Sequence, residues 1–172
     1  MESEIIKKAA SGDAGALTFL IDKYKDVAYN LAMSIVRNKE DAKDITQDSF
    51  LKVLEKIGSF RNDAKFSTWL YKIVYNRSIG FVKAENRAGS LDDVLLVDDR
   101  NNYEDQEEKT RELYRAINVL DDTGRHVIML FYLAEKPIKE IARITGFSMA
   151  NVKVILHRAR KKLYEKMDYE NK

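Results

Sequence analysis

The sequence predicts an all-α protein of two small helical domains joined by an acidic flexible linker, the C-terminal domain being a helix-turn-helix. The chain has 172 residues but only one proline and seven glycines, so few positions interrupt helices. Apolar residues recur at spacings of three and four, which is the period of one helix face. No stretch alternates between polar and apolar residues as a half-buried strand would.

The distribution of charge divides the chain. The net charge is only +2, yet residues 91–108 hold eight acids and one arginine. Residues 153–166, in contrast, hold six Lys or Arg against one glutamate. An acidic connector between two basic blocks predicts domains at 1–87 and 109–172 with a linker at 88–108. The composition of the linker favours a disordered tether over a packed segment.

The N-terminal block is predicted to be a run of helices. Asp13 is placed to cap a helix whose apolar residues recur from Leu17 to Ile35. The next helix begins near Lys39 and has an acidic stripe on one side. Such a stripe is often a solvated face, but folding does not require it, so docking onto a basic partner is the alternative. The stripe comprises Asp41, Asp44, Asp48 and Glu55, with Lys52 among them.

Residues 59–87 form a loop and a long helix with aromatic and basic side chains. The predicted core face contains Phe66, Trp69, Leu70, Ile73 and Val74, and the predicted exposed face contains Tyr71, Lys72, Tyr75 and Ile79, with Asn76 at its edge. Aromatic rings beside cations suit unstacked bases and their phosphates. The short polar loop at 60–65 could receive a flipped base. An ordinary core with a solvated surface explains most of the same pattern.

The segment 137–163 has the layout of a helix-turn-helix. Pro137 suits a first helical position, Gly146 a helix-ending turn, and Ser148 the cap of a second helix. One face of that second helix is apolar, with Val152, Ile155, Leu156, Ala159 and Leu163. The other face carries Ala150, Val154, His157, Arg158 and Lys161, flanked by Asn151, Lys153 and Arg160. Cations beside small apolar residues favour contact with DNA phosphates and base edges, although a solvated basic helix is the simpler interpretation.

The sequence offers little for catalysis. It has no cysteine, and its two histidines, His126 and His157, lie 31 residues apart. Neither a glycine-rich phosphate loop nor a metal-ligand spacing is present, so we expect no enzyme activity, no metal and no cofactor. His126 lies among apolar residues and is expected to be structural, whereas His157 could contact phosphate or base. We found no apolar run long enough for a membrane span and no signal peptide, and we expect a cytoplasmic protein.

Taken in order, these signals resemble the extracytoplasmic-function (ECF) sigma factors of the sigma-70 family. The resemblance rests on the runs at 41–53 and 66–76, on the helix at 120–132, and on the segment 138–163, and it spans about residues 4–166. It implies a promoter-specificity subunit of RNA polymerase, with sigma domain 2 at 1–87 and sigma domain 4 at 109–172. The implied partners are core polymerase through its β and β′ subunits, promoter DNA and an anti-sigma factor, without direct membrane insertion.

The resemblance also implies three binding surfaces. Binding to the coiled coil of β′ falls to Asp41, Asp44, Gln47, Asp48 and Lys52. The residues implied to recognise and melt the −10 element are Phe60, Arg61, Asn62, Asp63, Lys65, Trp69, Tyr71, Lys72 and Asn76. Reading of the −35 element falls to Asn151, Lys153, Val154, His157, Arg158 and Lys161. A stand-alone helix-turn-helix regulator is the alternative function, but such a protein needs neither the acidic stripe nor the 60–76 segment.

Overall fold

The computed structural model describes residues 1–89 and 114–170, with side chains through residue 166. The predicted acidic linker therefore lies, apart from its first two residues, outside the described part. The described residues are mainly helical, and the helices are α1 (Glu2–Ala10), α2 (Ala14–Val36), α3 (Lys39–Lys56), α4 (Phe66–Arg87), α5 (Asp122–Ile128), α6 (Ile138–Thr145) and α7 (Met149–Glu170), with a further helical stretch at 114–117. A 3₁₀ turn at Ile57–Ser59 follows α3, and a π-helical turn at Met129–Leu133 continues α5.

In the N-terminal part, α2, α3 and α4 pack together around an apolar core, and α1 covers α2 and the 3₁₀ turn. Asp13 caps α2 by accepting from the amide of Ala16 at 2.8 Å, as predicted. Arg37 ends that helix in a left-handed conformation, and Asn38 then caps α3. These two adjacent signals turn the chain sharply, so that α3 folds back along α2.

The C-terminal part contains the predicted helix-turn-helix. Gly146 ends α6 with φ of 80°, in the left-handed region that glycine adopts without strain. Ser148 caps α7 by accepting from the amide of Asn151 at 3.1 Å. Pro137 caps α6 from the position just before its first residue, one place earlier than predicted. The predicted inner face of α7 is confirmed, with Val152, Leu156 and Ala159 buried and Ile155 and Leu163 partly buried.

The two parts pack against each other through α4 with α6 and α2 with α5. Arg125, which is 2% exposed, donates from Nε to the carbonyl of Ser34 on α2 at 2.8 Å. The hydroxyl of Tyr114 donates to the carbonyl of Asn30 at 2.9 Å. The chain is therefore closed, with α6 lying over the beginning of α4. Across residues 1–89 and 114–170, none of the helices has the length and apolar character of a membrane span.

Candidate nucleic-acid and partner interfaces

The acidic stripe lies on the outer side of α3. The predicted inner residues Ala42, Ser49, Phe50, Val53 and Ile57 are all buried. Asp44, Gln47 and Asp48 are exposed, whereas Asp41 and Lys52 are partly exposed. Partial burial raises the pKa of Asp41, and the carboxylates of Glu85, Asp44 and Glu40 raise it further. Within the stripe, Asp48 lies 3.6 Å from the guanidinium of Arg77 and Glu55 lies 2.7 Å from the ammonium of Lys52, whereas the surroundings of Asp41 disfavour its charge.

An apolar groove runs beside the stripe, between α2 and α3. It encloses about 460 Å³, and its lining includes Gln47, which lies beside Asp48 of the stripe. Leu51 is 52% exposed and Leu54 36% exposed, although both are apolar. We did not predict this groove from the sequence. The sequence did contain a signal for it, because Leu51 and Leu54 are apolar residues that do not lie on the core face of α3. The full lining is Ile21, Lys25, Asp26, Tyr29, Lys43, Thr46, Gln47, Phe50, Leu51 and Leu54.

A second cavity, the loop cavity, lies between the 60–65 loop and the start of α4. It encloses about 390 Å³. The rings of Phe60 and Trp69 lie 5.0 Å apart and tilted by 37°, so they form an aromatic wall. Asn62 adopts φ of 57° at the loop tip, which a short polar side chain tolerates. The lining is Ser59, Phe60, Arg61, Asp63, Ala64, Thr68, Trp69, Lys72 and Arg143.

Five of the predicted −10 residues therefore line one cavity, namely Phe60, Arg61, Asp63, Trp69 and Lys72. Asn62, Lys65 and Asn76 are exposed but do not line it. The expectation that Tyr71 and Tyr75 lie on an exposed face is wrong, because they are 3% and 6% exposed. Tyr71 packs edge-on against Tyr24 and beneath the ammonium of Lys136, and Tyr75 packs edge-on against His126. Burial accordingly raises the pKa of both phenols.

The outer face of α7 carries the predicted −35 residues. Asn151, Lys153, Val154, His157, Arg158 and Lys161 are all exposed, Val154 by 45%. Arg158 and Lys161 also line a basic cavity of about 410 Å³ between α7 and the start of α5, whereas the other four do not. Arg160 is held elsewhere, since its guanidinium stacks on Phe131 at 4.9 Å and donates to the hydroxyl of Tyr132 at 2.9 Å.

Two family models match the chain. The family model for sigma-70 region 2 matches residues 20–88, and the family model for sigma-70 region 4 matches residues 110–163. The sigma factor SigV of Bacillus subtilis is 32% identical over 156 residues, covering 91% of this chain and 93% of its own. The ECF sigma factor SigW of the same organism is 31% identical over 176 residues, covering 94% of each chain.

Two solved structures share the fold. CnrH, solved with the cytosolic domain of CnrY, aligns with a TM-score of 0.70 and 23% identity over 96% of both chains. The sigma factor RpoE of Bartonella quintana, solved with the anti-sigma factor NepR, aligns with a TM-score of 0.73 and 21% identity, covering 88% of this chain and 96% of its own. At these identities the likeness concerns the fold alone.

The chain has two helical domains, and the second contains a helix-turn-helix. Together with these relatives, this fold defines a promoter-directing subunit of bacterial RNA polymerase. The chain belongs to the ECF sigma factors of the sigma-70 family. It directs the polymerase to promoters and is not a stand-alone regulator, because region 2 and region 4 are both present.

Proposed function

We propose that residues 1–87 bind core polymerase and the −10 element, that residues 88–108 tether them, and that residues 109–172 read the −35 element. The observation that carries this proposal is the loop cavity. It combines an aromatic wall of Phe60 and Trp69 with the cations Arg61 and Lys72. A base extruded from the melted strand would stack on the aromatic wall while the cations neutralise the adjacent phosphates.

Core polymerase would dock on α3. The exposed carboxylates of Asp44 and Asp48 attract a basic surface, and their mutual repulsion falls when such a surface approaches. The adjacent apolar groove adds a hydrophobic contribution to the binding free energy, because Leu51 and Leu54 lose their contact with water on docking. We assign this combined surface to the coiled coil of the β′ subunit.

The outer face of α7 would enter the major groove of the −35 element. Its first three turns present Asn151, Lys153, Val154, His157 and Arg158, and the next turn presents Lys161. Asn and Arg suit base edges, and the lysines suit phosphates. Val154 offers an apolar contact for a thymine methyl group.

Three further assignments follow from membership of the family. We expect a cytoplasmic protein, because it must meet the polymerase there, and we expect no catalytic activity of its own. An anti-sigma factor is the expected inhibitor, as in the complexes solved for CnrH and for RpoE. The α3 surface is the face that such an inhibitor would cover.

The first test is charge reversal on α3. We expect Asp44→Lys with Asp48→Lys to weaken binding to core polymerase at least about tenfold, because attraction becomes repulsion. Fluorescence anisotropy with labelled protein measures binding, and abortive transcription from a promoter measures function. The matched control is Glu4→Lys with Glu135→Lys, two exposed acids on α1 and in the loop before α6. Unchanged polymerase affinity in the α3 variant would refute the docking assignment.

A further inference from the structure

A row of exposed residues runs along the outer side of α4 to the end of the helix. It begins beside Trp69, at the wall of the loop cavity, and continues at spacings of three and four residues, so its members share one side of the helix. At the helical rise of 1.5 Å per residue, it is about 22 Å long. Its members, which we call the basic row, are Lys72, Asn76, Gly80, Lys83 and Arg87, and all five are exposed.

The neighbouring side of α4 is occupied by the C-terminal part. The hydroxyl of Thr68 donates to the carboxylate of Glu140 on α6 at 2.6 Å. The hydroxyl of Ser67 accepts from the ammonium of Lys136, in the loop before α6. The basic row lies outside this contact, so it is a side of α4 to which a ligand has access.

The positive charge of the basic row is not compensated within the protein. Its three cations have no ion-pair partner among the described residues. The remaining cation of α4, Arg77, lies instead against α3, 3.6 Å from Asp48. Glu85 is the single acid of α4 and also lies off the row, because its charge reaches Asp41 on α3 and raises the pKa of that carboxyl. The row therefore presents cations without acids, which favours an anionic ligand.

Gly80 is an unusual residue for the middle of an exposed helix side. Glycine is a poor helix former, so its presence destabilises α4. Packing does not explain it, because a Cβ built on Gly80 would meet no atom within 4 Å and its φ is not in the left-handed region. A glycine at such a place lets the backbone of a ligand approach the helix closely.

The chemistry of this side of α4 changes along its length. At the loop cavity, Phe60 and Trp69 offer aromatic faces on which unstacked bases can lie. Beyond Asn76 the row contains no ring, only a glycine and two cations. Cations bind phosphates but offer no stacking surface, so the far part of the row suits paired DNA contacted through its backbone.

We propose that the basic row binds the phosphate backbone of the duplex directly upstream of the −10 element. This inference rests on the proposed function, because it starts from a −10 strand seated in the loop cavity. DNA that leaves the cavity towards the −35 element is double-stranded, since only the −10 element is melted. Its backbone follows α4 away from Trp69, approaches most closely at Gly80, and brings phosphates to Lys83 and Arg87.

Binding of forked DNA to the holoenzyme tests the proposal. One probe is the labelled non-template strand of a cognate −10 element. The other probe continues the same strand on its upstream, 5′ side into one helical turn of duplex. Fluorescence anisotropy should show that the duplex tightens binding of the wild type. Lys83→Gln with Arg87→Gln should weaken binding of the fork about threefold to tenfold and leave binding of the single strand unchanged.

The matched control is Lys7→Gln with Lys8→Gln, which removes the same charge from two exposed positions on α1. It should bind both probes as the wild type does. Salt dependence gives a second readout, because each phosphate contact contributes about 0.9 to the slope of log affinity against log salt concentration. The Lys83 and Arg87 variant should therefore have a slope lower by about 2 on the fork only.

Gly80→Gln separates binding from folding. Glutamine is a better helix former, so the unfolding temperature should rise, while the longer side chain should hold the duplex away and weaken binding of the fork. A gain in stability joined to a loss in fork affinity does not follow from a structural role alone. Unchanged fork affinity in Gly80→Gln would overturn the close approach at this position.

The outcomes distinguish this proposal from the proposed function. If the wild type binds the strand and the fork equally well, the proposal is overturned while −10 binding stands. It is also overturned if the Lys83 and Arg87 variant loses as much on the strand as on the fork, or if the α1 control loses as much on the fork. If no variant and not the wild type binds the strand, the −10 assignment fails and this proposal fails with it.

Discussion

His126 is a neutral imidazole enclosed between the two parts of the chain. It is 5% exposed, its ring packs edge-on against Tyr75 at 5.9 Å, and its Nε2 has no hydrogen-bond partner among the described residues. Burial lowers the pKa of His126 to about 4, and the positive charge of Arg125 adds to the effect. The imidazole therefore serves the fold in its uncharged form, in agreement with the structural role expected from the sequence.

We expect stability to fall in acid because of His126. The unfolded chain binds a proton with a pKa near 6.5 and the folded chain only near 4, so the unfolded state holds more protons between these values. The stability present above pH 6.5 should thus decline towards pH 4, by at most about 3 kcal/mol. Thermal unfolding followed across this range measures it.

Two substitutions isolate that effect from the titration of carboxylates. His126→Phe removes the ionising group and should flatten the decline in unfolding temperature. His157→Phe, at an exposed position on α7, should retain it. An equal decline in both variants would show that His126 does not cause it.

Trp69 is the only tryptophan in the chain, so its fluorescence reports on the loop cavity. We expect a single-stranded oligonucleotide to quench this fluorescence as a base stacks beside the ring. Trp69→Ala should weaken binding of the strand by about 1–3 kcal/mol, the usual contribution of one base–aromatic stack. Phe19→Ala, which removes another exposed ring from α2, should have little effect. Full affinity in the Trp69 variant would exclude stacking at this position.

At the scale of elements, α7 holds its two arginines in different surroundings. Arg158 is exposed towards solvent, whereas Arg160 is stacked on Phe131 and bonded to Tyr132. The two arginines lie two residues apart on one helix, yet only the first is free to reach a base. Their contrast provides a matched pair of substitutions.

We expect Arg158→Ala to cost about 1–3 kcal/mol in binding to a cognate −35 duplex and to reduce discrimination against random duplex. Arg160→Ala should lower the unfolding temperature but leave that discrimination intact. Anisotropy titrations with both duplexes at one salt concentration measure the two effects. Equal losses on cognate and random DNA would assign Arg158 to phosphates.

The helices of this protein follow closely from its sequence because their signals are local. Asp13, Gly146 and Ser148 act within a few residues of their own positions, and each behaves as predicted. The exposure of Tyr71 and Tyr75 could not be predicted in the same way. Tyr71 packs against Tyr24 of α2 and beneath Lys136, and Tyr75 packs against His126, so their burial depends on helices that are distant in the sequence. The groove beside Leu51 likewise required the relative position of α2 and α3.

At the scale of the whole molecule, Arg125 connects the two parts. Its guanidinium donates across the contact to the carbonyl of Ser34, and within its own part to the carbonyl of Leu120 and the carboxylate of Asp122. We expect Arg125→Leu to leave the Ser34 carbonyl buried without this donor, at a cost of about 1–3 kcal/mol. Calorimetry should then resolve two unfolding transitions where the wild type shows one.

Arg115→Leu is the control, because it removes an exposed arginine of the same C-terminal part. It should retain the single transition. Two transitions in the wild type would mean that the parts unfold independently despite their contact.

The contact between the start of α4 and the segment at Lys136 and Glu140 also limits how freely this protein can be recombined. Ser67 and Thr68 belong to the N-terminal part, and Lys136 and Glu140 belong to the C-terminal part. Each part therefore contributes two of the four contacting residues. A chimera that receives its C-terminal part from a relative in order to change promoter choice would keep both folds but lose this fit. Swapping parts would then weaken the packing between them as well as change the target sequence, unless the four positions are exchanged as a set.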